Sequence, residues 1–211
     1  MLKAVFFDVD GTLLDTERFQ FLGWVEVLKP YDVRITKEEY TQYAGKPSEE
    51  IEKILRSKYG LEAGISIKKK QVMLDLFDSH RIDTLPYVKE SLEFLRSKKL
   101  GAISGSTQKE AELKIKKANL TDYFDVVLGV HGSIRGKPAP DLYLKALKTL
   151  NIEASKALVF EDTSSGVTAA KDAGIFTVAI PTEFSLRQDF SKADGVCKNM
   201  REAVDFVKDL L

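Results

Sequence analysis

The stretch AVFFDVDGT, residues 4–12, decides the fold, because it joins a short apolar run to an acidic turn. The apolar run, residues 4–7, is typical of a parallel strand that is covered on both faces. Asp8 and Asp10 follow it, and Gly11 allows the chain to turn sharply. The sequence therefore predicts a strand that delivers two carboxylates to one end of a sheet.

Further apolar runs predict the other strands of the same sheet. They cover residues 100–103, 126–128, 157–160 and 177–180. The helix signals between them are apolar spacing over 88–95, a capping box over 107–110, and Gly174 after a predicted helix end at 173. This alternation predicts an α/β fold with a doubly wound, mostly parallel, Rossmann-like sheet.

Residues 16–82 differ from the rest of the chain, because they contain helix signals and no convincing strand. The signals are a capping box at Thr36 and Glu39, an N-cap candidate at Ser48, a helix end at Gly60 and a helical pattern over 67–82. We expect a small all-helical cap domain inserted after the first strand, above the sheet end where ligands bind. The predicted division is a core of residues 1–15 and 83–211 and a cap of 16–82.

Composition narrows the range of partners. The chain has 211 residues with 32 basic and 32 acidic side chains, so no global basic field attracts nucleic acid or an anionic membrane. The first apolar run is too short for a signal peptide or a membrane span, and the single cysteine, Cys197, excludes an intramolecular disulfide. We therefore expect a cytoplasmic monomer with no nucleic-acid or membrane partner.

Polar groups also stand where three later strands end. Ser104 and Gly105 precede a helix, and a hydroxyl with free amides there suits an anion such as phosphate. Lys137 stands in a loop stiffened by two prolines, and Glu161 with Asp162 ends another strand. Clustered carboxylates repel one another unless a cation lies between them, and oxygen ligands suit Mg²⁺. The sequence predicts a magnesium and phosphate site at one sheet edge.

Together these motifs resemble those of the haloacid dehalogenase superfamily, and within it the beta-phosphoglucomutase-like phosphatases with a helical cap. The resemblance covers essentially the whole chain. It rests on the Asp-x-Asp-Gly-Thr run at 8–12, Ser104, Lys137 and the Glu161–Asp162 pair. It implies a magnesium-dependent phosphatase that hydrolyses a small phosphorylated metabolite, such as a sugar phosphate, through an aspartyl-phosphate intermediate.

The resemblance also implies a role for each site residue. Asp8 is expected to be the nucleophile, and Asp10 the general acid and base. The expected Mg²⁺ ligands are Asp8, the backbone carbonyl of Asp10, Asp162 and, as a further or more distant ligand, Glu161. The expected phosphate-binding residues are Ser104, Gly105 and Lys137.

The cap departs from the mutase pattern in two places. Beta-phosphoglucomutases carry a cap histidine and a cap arginine, and the corresponding positions here are Gln20 and the loop 45–48, in which Lys46 is a candidate substrate contact. A phosphatase is therefore favoured, and a phosphosugar mutase remains an alternative.

Other readings also remain open. A calcium loop would need glutamate where Phe19 stands, whereas a phosphonate hydrolase would need a cap lysine such as Lys46 or Lys53. A receiver-like signalling domain is the non-enzyme alternative, although it lacks a helical insertion of this size. Neither His80 nor His131 is expected to have a special role.

Overall fold

The computed structural model describes residues 1–79 and 82–211 and contains a six-stranded sheet. Its strands are β1 (Ala4–Asp8), β2 (Lys99–Thr107), β3 (Val126–Val130), β4 (Ala157–Glu161), β5 (Phe176–Ala179) and β6 (Gly195–Val196). Neighbouring strands pair in parallel in the order β3-β2-β1-β4-β5-β6. The predicted α/β class and parallel sheet are confirmed, and β1 lies between β2 and β4.

Helices connect the strands and cover the sheet. They are α1 (Glu17–Leu28), α2 (Lys37–Tyr40), α3 (Ser48–Tyr59), α4 (Ile65–Ser79), α5 (Val88–Phe94), α6 (Gln108–Lys117), α7 (Asp141–Leu150), α8 (Ser164–Asp172) and α9 (Met200–Phe206). Single 3-10 turns occupy Lys29–Tyr31, Thr121–Tyr123, Ala154–Lys156 and Lys208–Leu210. Within the described part of the chain, no helix has both the length and the apolar character that crossing a bilayer requires.

The two faces of β1 are both buried, as the apolar run predicts. Val5 and Phe7 belong to one apolar cluster, whereas Ala4 and Phe6 belong to another on the opposite face of the sheet. This alternation follows from the two-residue period of a strand. Because helices cover both faces, the polar residues that follow β1 emerge only at its carboxyl end.

Helices α1 to α4 form the inserted helical cap. A third apolar cluster, which includes Trp24, Leu28 and Leu55, lies among them. The capping box at Thr36 and the left-handed helix end at Gly60 both form. The fold therefore has the predicted cap, and its exact division at residues 16 and 82 stays a prediction.

Two details of the cap differ from the sequence-based expectation. Pro47 is the N-cap of α3 and Ser48 is its first residue, because the extended backbone at Pro47 provides the helix entry without a side-chain cap. Helix α4 begins at Ile65, earlier than the expected residue 67, and ends at Ser79. Residues 80 and 81, including His80, lie outside the described residues.

The loop after β5 joins the core to the cap. Phe184 is buried in the cap cluster, with its ring centroid 5.7 Å from that of Tyr40 and 6.4 Å from that of Phe21. The side chain of Gln188 donates to the Ala44 carbonyl of the cap at 3.0 Å and accepts from the Ser164 amide of the core at 2.8 Å. The cap is thus attached to the core through this loop as well as through its own two chain connections.

Candidate active site

The carboxyl ends of the central strands bring the predicted acids and lysine together. Asp8 ends β1, and the Lys137 ammonium lies 2.5 Å from its Oδ1. Lys137 also donates a hydrogen bond to Glu161, the last residue of β4. Lys137 is 129 positions from Asp8, so the parallel sheet, rather than the local sequence, creates this contact.

Asp8, Glu161 and Asp162 form a buried acidic cluster. One carboxylate oxygen from each lies within 4.8 Å of the others. Asp8 Oδ2 and both carboxylate oxygens of Asp162 are buried without a hydrogen-bond partner among the described residues. Burial, followed by the neighbouring negative charges, raises the pKa of Asp162 well above its ordinary value. Unpartnered buried oxygens of this kind are costly unless a cation binds them, so the cluster fits a hard divalent ion.

Glu161 differs from the other two acids because its oxygens already have partners. Its Oε1 accepts from Lys137 and, at 2.8 Å, from the Tyr143 hydroxyl, while its Oε2 accepts from the Asp162 amide at 3.1 Å. Burial lowers the pKa of Lys137, but the charges of Asp8 and Glu161 outweigh burial and raise it well above its ordinary value. Glu161 therefore fixes a charged lysine beside Asp8.

Gly11 is required where the first motif approaches β4. Its φ of +92° is in the region that favours glycine, and a Cβ there would overlap the Asp162 carboxylate. The predicted sharp turn after Asp10 is therefore also a close approach between two strand ends. It sets Asp8 and Asp162 side by side.

Asp10 points toward a different set of partners. Its Oδ1 accepts from Thr16 Oγ1 and from the Lys114 ammonium, both at 2.6 Å, and its Oδ2 accepts from Ser104 Oγ at 3.0 Å. Burial raises the pKa of Asp10, but Lys114 and these hydrogen bonds outweigh it and lower the pKa below its ordinary value. Among the described residues, the Asp10 carboxylate lies outside the acidic cluster, so a backbone contact to metal stays a prediction.

The end of β2 borders the cavity. Ser104 Oγ is buried, donates to Asp10 and accepts from the Ser106 amide at 3.0 Å. Gly105 and Ser106 line the cavity beside Lys137. Helix α6 begins immediately afterwards with the predicted capping box, in which Glu110 accepts from the Thr107 amide at 3.0 Å.

A cavity of about 340 Å³ separates these strand ends from the cap. Gln20 lines it and accepts a hydrogen bond from Lys69. Lys46 also lines it, and its ammonium lies 2.5 Å from Glu50. Glu17 lines the same cavity, and burial, followed by the charge of Asp10, raises its pKa to about 7.

The charged residues of this cavity that sequence reasoning missed include Glu17, Lys69 and Lys114. Lys114 occupies the apolar stripe of α6 that also contains Ala111 and Ile115, and all three are buried. A lysine at a position where the helical period calls for an apolar residue is the signal that could have revealed it. Lys69 interrupts the buried face of α4 in the same way.

A parallel sheet whose central strand ends in paired acids beneath a helical cap defines a capped α/β enzyme. The profile of the haloacid dehalogenase-like hydrolases matches residues 5–180. The chain therefore belongs to this family and is a hydrolase.

Named relatives and a solved structure agree with the assignment. The chain is 36% identical over 183 residues, 82% of each chain, to the phosphorylated carbohydrates phosphatase of Thermotoga maritima. It is 25% identical to the beta-phosphoglucomutase of Bacillus subtilis, over 85% of this chain and 83% of that one. A haloacid dehalogenase-like protein from Agrobacterium tumefaciens has the same fold, with a TM-score of 0.88, 20% identity, and coverage of 100% of this chain and 99% of that one.

Proposed function

We propose that this protein is a magnesium-dependent phosphatase of small phosphorylated carbohydrates, acting through an aspartyl phosphate on Asp8. The observation that carries the proposal is the set of unpartnered, buried oxygens of Asp8 and Asp162 beside the Lys137 ammonium. The phosphatase relative from Thermotoga maritima supports the substrate class. Asp8 and Asp162 would hold Mg²⁺, which supplies positive charge that lets a carboxylate approach a phosphate anion.

Each site residue has its own role in the proposed reaction. Asp8 attacks phosphorus in line with the departing alcohol and becomes phosphorylated, while Lys137 and the amide of Gly105 hold the phosphoryl oxygens. Asp10 gives a proton to the leaving alcohol and then takes one from the water that hydrolyses the aspartyl phosphate. The cap excludes bulk water while the substrate is bound.

Hydrolysis is favoured over mutase chemistry by the cap residues. Lys46 is paired with Glu50, and Gln20 is bound to Lys69, so neither position presents the free arginine or the histidine of the mutase pattern. The aspartyl phosphate would then be released to water. The helical cap argues against the receiver-like alternative.

The experiment is phosphate release by the purified full chain from p-nitrophenyl phosphate and from sugar phosphates, with Mg²⁺ and with excess EDTA. We expect turnover with Mg²⁺, none with EDTA, and at least a thousandfold loss of turnover in Asp8→Asn. Asp172→Asn, an exposed acid on α8, is the matched control and should retain activity. Appreciable turnover by Asp8→Asn would exclude Asp8 as the nucleophile.

A further inference from the structure

The Lys137 ammonium is held from several sides. Among the described residues, its N–H groups reach Asp8 Oδ1, Glu161 Oε1 and, at 3.3 Å, the Ile103 carbonyl. A lysine side chain is long and has many rotamers, so a buried lysine that must face one group needs surroundings that hold it. The residues that hold Lys137 therefore bear on the reaction even where they do not touch a substrate.

Tyr143 contacts both Lys137 and Glu161 from a single side chain. It lies in the first turn of α7 and is fully buried. Its hydroxyl donates to Glu161 Oε1 at 2.8 Å, and the Lys137 ammonium lies 5.3 Å from the centroid of its ring. A cation within about 6 Å of an aromatic face is attracted to it. Tyr143 thus supports the lysine directly through its ring and indirectly through Glu161.

The two oxygens of Glu161 are fixed by different parts of the chain. Oε2 accepts from the Asp162 amide at 3.1 Å and from the Thr163 hydroxyl at 3.3 Å, so it is held by the segment after β4. Oε1 accepts from both Lys137 and Tyr143. The Tyr143 hydroxyl is therefore the described donor that sets the direction of Oε1 independently of the lysine.

We propose that Tyr143 is a positioning residue for phosphoryl transfer: its hydroxyl directs Glu161 Oε1 and its ring supports the ammonium, so that Lys137 faces the phosphoryl oxygens. Among the described residues that line the cavity, Lys137 is present and Tyr143 is not. Tyr143 therefore acts through its two neighbours and not by contact with a substrate. The inference rests on the proposed phosphatase activity and adds to it a residue of α7.

This role predicts a particular kinetic pattern. The direction of Lys137 matters most when negative charge spreads over the phosphoryl oxygens in the transition state, and less when the substrate first binds. Loss of the Tyr143 hydroxyl should therefore affect kcat more than KM. It should also weaken binding of orthovanadate, which takes the five-coordinate geometry of phosphoryl transfer, more than binding of inorganic phosphate.

Tyr143→Phe removes the hydroxyl and keeps the ring. With p-nitrophenyl phosphate and Mg²⁺, we expect kcat to fall about tenfold and the inhibition constant of orthovanadate to rise by about the same factor, since a misplacement of about 1 Å costs about a hundredfold and this one is smaller. KM and the inhibition constant of phosphate should stay near their wild-type values. Tyr143→Leu, which also removes the ring, should lose more of kcat.

Tyr59→Phe is the matched control. The Tyr59 hydroxyl also donates to a glutamate carboxylate, Glu39 Oε1, at 2.9 Å, and neither residue is among the described residues that line the cavity. Tyr59→Phe should therefore keep the wild-type kcat and both inhibition constants. The Tm of each variant is measured in parallel, so that a loss of folded protein is not mistaken for a loss of positioning.

The possible failures are distinguishable. Wild-type kcat and orthovanadate inhibition in folded Tyr143→Phe would overturn the positioning role while leaving the proposed phosphatase intact. So would equal weakening of orthovanadate and phosphate, or a lowered Tm as the sole effect. Absence of p-nitrophenyl phosphate turnover by the wild-type chain would overturn the proposed function, and this inference with it.

Discussion

The ammonium of Lys114 contacts Asp10 Oδ1 at 2.6 Å, and the lysine is only 1% exposed. The same ammonium donates to Ser106 Oγ at 2.8 Å, so it ties α6 to the loop after β1 and to the end of β2. The pair joins residues 104 positions apart. A buried cation thus holds the proposed general acid and base in its charged form when no substrate is bound.

Replacing Lys114 with methionine is expected to remove the cation that keeps the Asp10 carboxylate charged. The buried Asp10 carboxylate would lose its cation, and breaking such a pair costs about 3–5 kcal/mol. We expect a lower Tm and a loss of kcat on p-nitrophenyl phosphate of about tenfold or more, because Asp10 would be harder to ionise. Lys116→Met, exposed on the same helix, is the control. Equal behaviour of the two variants would show that Lys114 has no such role.

Magnesium is expected to stabilise the folded protein without substrate. Burial raises the pKa of Asp8 and Asp162 well above their ordinary values, and a divalent ion would relieve the repulsion that contributes to both shifts. At a concentration of 100 Kd, binding contributes about 2.7 kcal/mol, or several degrees in Tm. Asp162→Asn should abolish the magnesium-dependent shift in thermal melts, whereas Asp172→Asn should retain it. A shift that persists in Asp162→Asn would place the ion elsewhere.

Glu17 gives the stability a defined pH dependence. Its pKa is raised from 4.5 to about 7 by burial and by the charge of Asp10, so the folded state binds this proton more tightly than the unfolded state. The associated stability is complete below pH 4.5 and is lost as the pH rises through about 7. Because glutamine does not ionise, Glu17→Gln should not lose folding stability in this way as the pH rises.

We therefore expect Glu17→Gln to gain stability over the wild type on going from pH 5 to pH 8, by an amount of the order of 2 kcal/mol. Urea unfolding in EDTA at both pH values measures the difference, with Glu26→Gln as the comparison. A difference that is the same at both pH values would contradict the raised pKa.

Phe184 is expected to hold the cap through its packing in the cap cluster. Phenylalanine-to-alanine changes at buried sites cost about 3–5 kcal/mol. Phe184→Ala should therefore lower the Tm and raise KM for sugar phosphates, since the cap loses an anchor to the core. Leu186→Ala, 67% exposed in the same loop, should leave both quantities near the wild-type values. Wild-type Tm and KM in Phe184→Ala would argue against the anchor.

The strands could be predicted because each principal strand contains a short run of apolar residues, although β2 extends beyond its run through polar residues as far as Thr107. The exception is β6, Gly195–Val196, which is too short to show any period. Ser48 was misassigned as a cap because serine is favoured both at the N-cap and in the first turn. Phe184 could not be placed, since it belongs to a loop whose apolar residues have no regular spacing.

The candidate site could be predicted where chain topology alone brings groups together. Parallel strands meet at one edge, so Asp8, Lys137 and Asp162 were expected to lie close to one another, and they do. Lys114 and Glu17 were missed because their importance depends on which surface each helix buries. A charged residue on an apolar stripe is visible in the sequence, but its partner is visible only in the fold.

The side chain of Gln188 connects the cap to the core through two hydrogen bonds. Its amide connects the Ala44 carbonyl, next to the loop with Lys46, to the Ser164 amide, two residues after Asp162. Two neutral hydrogen bonds contribute about 1 kcal/mol each, which favours a shut cleft yet permits opening by thermal motion. Because this side chain bonds both to the segment that follows the acidic end of β4 and to the cap, we expect opening of the cleft to depend on a single uncharged amide. In Gln188→Glu, a carboxylate oxygen would replace the nitrogen that donates to the Ala44 carbonyl. The two oxygens would repel each other, and we expect the cleft to be more open.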